Sequence, residues 1–354
     1  MDIKSTIRIA AARTGHNRAP VETNPYSNSF DIEAVRAYAD KNAERTFRAF
    51  EMAGEAGADI VVSNEGIRPI GHMSTSVEMR AEVLALVEEL PGPTSDRLAE
   101  ISKKYNMFTA ANYKVREGDN IFNTTVLVGR DGKIIGRYHK IHLPASEHWH
   151  VTPGWELPVF ETDIGRIGFA ICHDIAFPEH CRAMALNGAD IILHSTNGWG
   201  FVTNNGALGM ELLRVRAAEN FVYMATAYSM NTLRPGSSSC IVDNKGNLLA
   251  QNQSQTEDGF AIAEYQPDYD MIDHKNMWSF FSGVPSERMR LTHERIPPAY
   301  KVLTEANPPV VKDVYPEYKY AKSPDEIMPI ADMFRQARID EADGVENAIW
   351  ENKW

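Results

Sequence analysis

Two kinds of apolar pattern alternate along the chain. Short runs that are apolar throughout, or apolar at every second position, are typical of β-strands, whereas longer runs with apolar residues three or four positions apart are typical of helices. The short runs predict strands at residues 7–13, 58–65, 107–112, 123–130, 133–140, 166–171, 190–195, 221–228, 239–243 and 260–265. The longer runs predict helices at residues 32–56, 77–90, 95–105, 178–188 and 208–219. Because strands and helices alternate, the sequence predicts a layered α/β fold.

Cys172 stands where one of these apolar strands gives way to a polar turn and a helix. The strand at residues 166–171 stops at Cys172, His173 and Asp174, and Pro178 then begins an amphipathic stretch. A strand-to-helix turn holds a side chain out of the sheet and aims backbone N–H groups at the same space, where they can bind an oxyanion. The positive end of the following helix is expected to lower the pKa of the thiol. The pattern fits a nucleophile, and it also fits a buried structural cysteine.

Two charged residues also lie at the ends of predicted strands. The run at residues 58–65 reads as a buried strand that carries Glu65 at its C-terminal end, where a carboxylate could accept the thiol proton. Lys140 ends the second strand of a hairpin whose turn is Asp131-Gly132, a dipeptide that is typical of two-residue hairpin turns. The ammonium group of Lys140 could therefore face the same cleft as the carboxylate and the thiol.

The stretches around these three residues resemble the nitrilase superfamily of carbon–nitrogen hydrolases, whose members carry a glutamate, a lysine and a cysteine in this chain order. The matching stretches are VVSNE at 61–65, GRYHKIHL at 136–143, GFAICHDIAFPE at 168–179, RAAEN at 216–220 and GSSSCIVDNKGNLLA at 236–250. The likeness extends from about residue 7 to about residue 265, the length of a whole catalytic domain. The resemblance implies a four-layer α-β-β-α sandwich, in which two mixed sheets pack face to face between helix layers.

The resemblance also implies a role for each residue. Glu65 would take the proton from Cys172 and return it to the leaving nitrogen, while Lys140 and the backbone N–H of His173 would stabilise the oxyanion. The family carries a second glutamate six residues before a Pro-Gly pair, and Glu147 has that spacing. Glu147 is therefore expected beside the lysine or the substrate amide. A thioester route of this kind is expected to need no metal and no organic cofactor.

The sequence says less about the identity of the substrate than about the type of reaction. The resemblance favours a cysteine-dependent amidase that releases ammonia from a small amide, and the alternative is an N-carbamoyl amidohydrolase that releases ammonia and carbon dioxide. True nitrilases usually carry Trp-Glu after the cysteine, so His173-Asp174 disfavours nitrile hydrolysis. A catalytically silent binding subunit is disfavoured because the glutamates, the lysine and the cysteine are all present. Asn197 and Trp199, together with His173, are expected to line the pocket.

Histidines near this site raise the alternative of a bound metal. They are His139, His142, His148, His150, His173 and His194. Zinc ligands usually come as a compact helical motif or as closely spaced cysteines, whereas Cys172 and Cys181 are nine residues apart across a turn and a helix. We therefore expect no metal. Cys181 and Cys240 are expected to be buried reduced thiols, because three cysteines in 354 residues make no disulfide framework.

Composition and charge agree with a large enzyme domain. A hydrophobic content of 43% in 354 residues can fill a sizeable core, and a formal net charge of −12 disfavours nucleic acid and anionic membranes as partners. The expected partner is a small-molecule amide or N-carbamoyl compound. Neither a signal peptide nor an apolar run of membrane-spanning length is visible, so the expected location is the reducing cytoplasm.

Two regions, residues 15–31 and 268–354, are additions to what a minimal member of the family contains. Residues 1–267 are expected to form the catalytic domain, and residues 268–354 a C-terminal extension rich in aromatic side chains. As C-terminal tails do in the family, this extension is expected to pack on a subunit interface in a homodimer or larger homo-oligomer. A polar segment at residues 15–31 is expected to form an ordered surface loop or a flap near a neighbour.

Overall fold

Two β-sheets form the centre of the molecule. The computed structural model describes residues 6–17, 19–24, 28–70, 81–144, 147, 150–198, 209–230, 238–266, 288 and 292–305. The strands are β1 (Ile7–Arg13), β2 (Ile60–Val62), β3 (Glu88–Glu89), β4 (Phe108–Glu117), β5 (Asn120–Val128), β6 (Ile134–His139), β7 (Phe160–Thr162), β8 (Gly165–Ile171), β9 (Ile191–Thr196), β10 (Tyr223–Tyr228), β11 (Ser239–Val242), β12 (Leu248–Asn252) and β13 (Gly259–Tyr265). The helices are α1 (Ile32–Glu55), α2 (Ala81–Ala85), α3 (Pro93–Tyr105), α4 (Pro178–Leu186) and α5 (Gly209–Asn220).

Both sheets mix parallel and antiparallel strands. The first sheet has the order β13-β1-β2-β4-β5-β6, with β3 beside β4, and the second has the order β12-β11-β10-β9-β8-β7. In the first sheet β1, β2 and β4 are parallel neighbours, and in the second β8, β9 and β10 are. The C-terminal ends of parallel neighbours meet at one edge of a sheet, which is where ligand sites form in α/β folds.

Side-chain alternation along the strands builds four layers. On β1, Ile7, Ile9 and Ala11 belong to the core between the sheets, whereas Ala10 and Ala12 pack against α1 and α3. On the far side of the second sheet, α4 and α5 contribute buried side chains such as Met184 and Leu213. Fully burying an aliphatic side chain of this size is worth about 1.5 to 3 kcal/mol, so this packing is the main source of stability. The expected α-β-β-α sandwich of two mixed sheets is confirmed.

Local signals fix the ends of several elements. The Asp31 side chain accepts a hydrogen bond from the backbone N–H of Glu33 and caps α1, and Pro178 occupies the first turn of α4. The Asp131-Gly132 turn joins β5 to β6 as expected, with Gly132 at φ +78°. Cys181 and Cys240 are buried free thiols, which confirms the expectation for them.

Several elements differ from their predicted bounds. Of the helix expected at residues 77–90, the described part is helical only over Ala81–Ala85, and residues 88–89 form β3; the prediction ran too far because Leu86 and Val87 pack in the same apolar cluster as α2 without being helical. The short strands β3 and β7 were not predicted, and β5 begins at Asn120 instead of residue 123.

The strand expected at residues 107–112 continues to Glu117, because its second half alternates buried and partly exposed residues that an apolar pattern passes over. Of the strand expected at residues 58–65, only Ile60–Val62 pairs with neighbouring strands in the sheet. Ser63, Asn64 and Glu65 follow the strand and are not part of it. Those three residues are nevertheless buried, and they lead into the site described below.

The segment at residues 15–31 is ordered wherever it is described. Gly15 bridges to Met230, and the backbone N–H of Asn17 donates to the Asn42 side chain at 2.7 Å. Its proposed contact with a neighbouring chain stays a prediction. Of the C-terminal extension, Arg288 and residues 292–305 are described, so most of its aromatic residues lie outside the described residues. Among the helices described, none combines the length and apolar character needed to cross a bilayer.

Candidate active site

Glu65, Lys140 and Glu147 meet in a buried cluster at the edge of the first sheet. The Lys140 Nζ lies 2.8 Å from Glu65 Oε1 and 2.7 Å from Glu147 Oε2. The Lys140 side chain is 1% exposed, so both ion pairs are shielded from water. Glu65 is therefore held, as expected, against Lys140 and Glu147, which lie 75 or more residues further along the chain, although the catalytic roles of all three stay predictions.

The strands bring these side chains together from three directions. Glu65 follows β2, and Lys140 follows β6 at the end of the hairpin, where its backbone N–H donates to the Asn123 carbonyl at 2.8 Å. The segment that carries Glu147 is tied back to this strand, because the Gly154 N–H donates to the Lys140 carbonyl at 2.7 Å. The Pro-Gly pair thus fixes how Glu147 approaches the lysine.

Asn123 joins the two carboxylates, and the sequence reasoning missed it. Its Nδ2 donates to Glu65 Oε1 at 3.0 Å and to Glu147 Oε1 at 2.6 Å. Its Oδ1 in turn accepts a hydrogen bond from Asn112 Nδ2 at 2.9 Å. Asn112 and Asn123 are both buried, but β4 and β5 carry other polar residues as well, so the sequence did not set these two apart.

Burial and close ion pairs fix the charge of the cluster. Burial alone would raise the pKa of Glu65, but Lys140 and the Asn123 amide hold it below the usual range. Burial would likewise lower the pKa of Lys140, but Glu147 and Glu65 raise it well above its ordinary value. At neutral pH the cluster therefore contains a carboxylate at Glu65 and an ammonium at Lys140.

Cys172 begins the turn after β8 with a left-handed backbone, at φ +44°. An L-residue in this region is strained by about 1 to 2 kcal/mol, and such strain is typical of residues held in place for chemistry. The Sγ lies 3.5 Å from the Gly198 carbonyl oxygen, across the neighbouring strand β9. The thiol is thus fixed at the C-terminal edge of the second sheet, facing the acids of the first.

The expectation that a helix end lowers the thiol pKa is wrong. Burial and the charge of Glu65 raise the pKa of Cys172 to about 12, and Lys140 offsets this only in part. The expectation considered only α4, from which the short 3-10 helix Cys172–Ala176 separates the thiol, and left out burial, which is the largest cause of the raised pKa. At neutral pH the side chain of Cys172 is therefore a neutral thiol.

Asp174 braces the turn that holds Cys172. Its Oδ2 accepts from the Ile171 N–H at 2.9 Å and from the Tyr138 hydroxyl at 2.6 Å, and its Oδ1 accepts from the His142 N–H at 3.0 Å. Burial would raise the pKa of Asp174, but His180 and His142 hold it well below its usual range. This carboxylate links the β6 hairpin to the nucleophile turn, which is a structural task.

The same neighbourhood holds a set of possible metal ligands. Among the described residues, the ligand atoms of His142, Asp174 and His180 all lie within 4.8 Å of one another. Both Asp174 oxygens already accept hydrogen bonds, and the His142 Nδ1 lies 2.8 Å from Asp174 Oδ1, closer than two ligands of one ion normally sit. This arrangement suits a hydrogen-bonded brace better than a coordination site.

The expected substrate-binding residues have different surroundings. The His173 ring lies edge-on to Phe177, with ring centroids 5.3 Å apart. Asn197 contributes its backbone, because its N–H donates to Glu65 Oε2 at 3.3 Å and so helps to fix the carboxylate. Trp199 lies outside the described residues. Contact of any of the three with substrate stays a prediction.

Sequence comparison places the chain among known proteins. The carbon-nitrogen hydrolase family pattern matches residues 23–269. The chain is 32% identical over 230 residues to a nitrilase of Pyrococcus abyssi, covering 64% of this chain and 83% of the relative. It is 29% identical over 272 residues to the chloroplastic omega-amidase of Arabidopsis thaliana, covering 73% of this chain and 70% of that one.

Comparison with solved structures agrees on the fold. A carbon-nitrogen hydrolase from Helicobacter pylori G27 superimposes with a TM-score of 0.64 at 19% identity, covering 84% of this chain and 98% of that one. An amidase from Nesterenkonia sp. AN1, which carries the acetamide moiety of fluoroacetamide on its active site cysteine, gives a TM-score of 0.56 at 20% identity, covering 75% of this chain and 93% of that one. With a family match over more than half of its length, the chain belongs to the carbon-nitrogen hydrolase family of the nitrilase superfamily.

Proposed function

We propose that this protein is a cysteine-dependent amidase that hydrolyses a small amide to a carboxylic acid and ammonia through a thioester. The observation that carries the proposal is the buried cluster of Glu65, Lys140 and Glu147 beside a strained cysteine. In this mechanism the cluster supplies a base and a fixed positive charge, and Cys172 supplies the nucleophile. Neither a metal nor an organic cofactor is required.

Acylation begins with transfer of the thiol proton. As the Cys172 Sγ attacks the carbonyl carbon, Glu65 takes the proton, which a thiol with a pKa of about 12 does not give up to water at neutral pH. The carbonyl oxygen becomes negative and is stabilised by the Lys140 ammonium and the backbone N–H of His173, and one such donor is worth about 3 to 4 kcal/mol. Glu65 then gives the proton to the nitrogen, the C–N bond breaks and ammonia leaves.

Deacylation reverses the proton transfers with water in place of the thiol. A water molecule attacks the thioester carbon while Glu65, with Glu147 nearby, accepts its proton. The C–S bond breaks, the thiolate of Cys172 recovers the proton from Glu65, and the acid product departs. Asn123 supports both steps because it holds the two carboxylates in fixed positions.

The relatives support amide chemistry and leave the acyl group open. The omega-amidase of Arabidopsis thaliana aligns with most of this chain, and in the Nesterenkonia amidase the acetamide moiety of fluoroacetamide is bonded to the active site cysteine. Cys172 is the described cysteine that is not fully buried, so it is the thiol that a substrate can reach.

A release assay tests the proposal. Purified protein is given small amides, N-carbamoyl amino compounds and nitriles, and both ammonia and carbon dioxide are measured, with Cys172→Ala as the control. We expect ammonia without carbon dioxide from amides, and no release by the variant. Carbon dioxide in step with ammonia would replace the amidase with an N-carbamoyl amidohydrolase, and undiminished release by Cys172→Ala would refute the cysteine mechanism.

A further inference from the structure

The segment that carries Glu65 leaves the first sheet before the acid and returns to it afterwards. The backbone N–H groups of Ser63 and Ile67 both donate to carbonyl oxygens of β4, at 2.9 Å each. Between these two bonds β4 advances by two residues, whereas the segment advances by four. Residues 64–66 therefore bulge out of the sheet, and their buried backbone groups need partners other than those of a strand ladder.

Side chains supply such partners at Gly66, the residue after the acid. Its N–H donates to Asn112 Oδ1 at 2.7 Å, and its carbonyl oxygen accepts a hydrogen bond from His16 Nε2 at 3.0 Å. Burial lowers the pKa of His16, and the Gly66 carbonyl and the charge of Glu65 oppose this only in part. The ring is therefore neutral at neutral pH. Because a neutral imidazole has one N–H and a carbonyl can only accept, Nε2 carries the proton.

The loop that carries His16 is fixed on both sides of the ring. On one side the loop bridges to Met230, whose N–H donates to the Thr14 carbonyl at 2.8 Å. On the other side the Asn17 N–H donates to Asn42 Oδ1 of α1 at 2.7 Å. Met230 follows β10 of the second sheet, so this loop connects the sheet of the thiol to the segment of the acid.

The position of the Glu65 carboxylate bears directly on the thiol. Burial would raise the pKa of Glu65, and the groups that lower it include Lys140 and the Cys172 thiol. Burial and then the charge of Glu65 in turn raise the pKa of Cys172 to about 12. The two groups are therefore close enough to influence each other's protonation. A movement of residues 64–66 would change both the thiol pKa and the path of the proton.

We propose that His16 is a positioning residue, which holds the chain at Gly66 and thereby keeps the Glu65 carboxylate in place to receive the thiol proton. For its effect on turnover the proposal rests on the proposed amidase function. A displacement of about 1 Å in a reacting group can cost about 100-fold in rate. Because His16 acts through the base, its loss should lower kcat and leave substrate binding nearly unchanged.

The test removes the hydrogen-bond donor of the ring. His16→Leu has no N–H, whereas His16→Gln places an amide N–H near the former position of Nε2. Both are assayed for ammonia release from butanamide, a small neutral amide, or from a faster substrate found in the release assay. In His16→Leu we expect kcat to fall about tenfold or more, with KM changed less than about threefold. His16→Gln should keep kcat within about threefold of the wild type.

The pKa of Cys172 is a second readout, which does not depend on turnover. It is measured by the ultraviolet absorbance of the thiolate against pH. In His16→Leu we expect this pKa to fall by about 0.5 unit or more, because the negative carboxylate moves away from the thiol. In His16→Gln it should stay at the wild-type value. A loss of kcat without a change in this pKa would overturn the inference, because the acid would have kept its position.

Tyr38→Phe is the matched control. The Tyr38 hydroxyl donates to the Asn17 carbonyl at 3.0 Å, so this variant also takes one hydrogen bond from the loop and leaves Gly66 bound. Its kcat and thiol pKa should match those of the wild type, and losses equal to those of His16→Leu would overturn the inference. Wild-type values in His16→Leu would overturn it as well.

Two further outcomes are covered by the same measurements. If the wild-type protein releases no ammonia from any amide, the amidase proposal fails, and the thiol pKa of the variants alone decides the role of His16. If His16→Leu does not fold, His16→Asn replaces it, because the shorter amide does not reach the Gly66 carbonyl. The same losses are expected of that variant.

Discussion

At the scale of single residues, the site works through the charge that neighbours impose on each other. Lys140 keeps Glu65 ionised, and the ionised Glu65 in turn makes the Cys172 thiol harder to deprotonate. The same carboxylate thus suppresses the thiolate in the resting state, and in the proposed mechanism it accepts the thiol proton during attack. This arrangement protects the thiol from oxidation and alkylation, which require the thiolate.

Replacing Glu65 should separate its effect on the pKa of the thiol from its proposed role as the base. In Glu65→Gln we expect the pKa of Cys172 to fall by about 1 to 2 units, because a negative neighbour is removed, while kcat/KM falls at least about 100-fold because the base is lost. The thiolate is measured by its ultraviolet absorbance against pH, with Cys172→Ser as the blank. Glu117→Gln, at a carboxylate paired with Arg137, should change neither quantity. A higher thiol pKa in Glu65→Gln would contradict this account.

At the scale of elements, the β5–β6 hairpin and the segment after it place Lys140 and Glu147 together. Gly154 is central to this because a Cβ at that position would overlap the His139 carbonyl oxygen. The chain after Glu147 must therefore pass close against the end of β6. Any side chain at position 154 would push this segment, and Glu147 with it, away from the lysine.

Substitution of this glycine should reduce both stability and turnover. In Gly154→Ala we expect the free energy of unfolding to fall by about 1 to 3 kcal/mol through overpacking, and kcat to fall about tenfold or more. Denaturant unfolding and the ammonia assay measure the two. Gly118→Ala is the comparison, because Gly118 has a φ of +59° and open space around it. Its cost should be limited to about 1 to 2 kcal/mol of backbone strain, with normal turnover. Equal kcat losses in both variants would refute the role of Gly154.

The sequence predicted the site residues that can be recognised from one strand or one short motif. Glu65, Lys140 and Cys172 could be found because each lies where an apolar strand stops, and Glu147 because its spacing from Pro-Gly matches the family. Asn123 was missed, since a polar residue inside a strand looks the same whether it faces solvent or a site. The thiol pKa was misjudged because it depends first on burial, and then on the charge of Glu65, which lies on the other sheet and is distant in sequence.

At the scale of the whole molecule, the C-terminal extension is tied to the end of α4. The guanidinium of Arg288 donates to Asp190 Oδ1 and to the carbonyl oxygens of Ala185 and Ala189. Asp190 also binds Arg166, at 3.0 Å. Arg288 is therefore bound at the edge of the second sheet. We propose that the extension packs across the interface of a homo-oligomer.

Removal of the extension should change both stability and assembly. For a chain ending at residue 267, we expect a lower Tm and a smaller particle mass by light scattering than for the full chain. Arg288→Ala should separate the effect on stability from the effect on assembly. We expect it to lower the free energy of unfolding by about 1 to 2 kcal/mol, since Asp190 keeps its ion pair with Arg166. The particle mass should be unchanged. A truncated chain with the mass and Tm of the full chain would refute the proposal.

The division of the site between the two sheets has a consequence for how such an enzyme can change over evolutionary time. Glu65 and Lys140 follow strands of one sheet and Cys172 follows a strand of the other, so the distance between the carboxylate and the thiol is set by the side chains packed between the two sheets. A substitution in that inner core therefore changes both the stability of the fold and the geometry of the site. New specificities should instead arise in the loops at the sheet edge, where a substitution can alter contacts with a ligand and leave this distance intact.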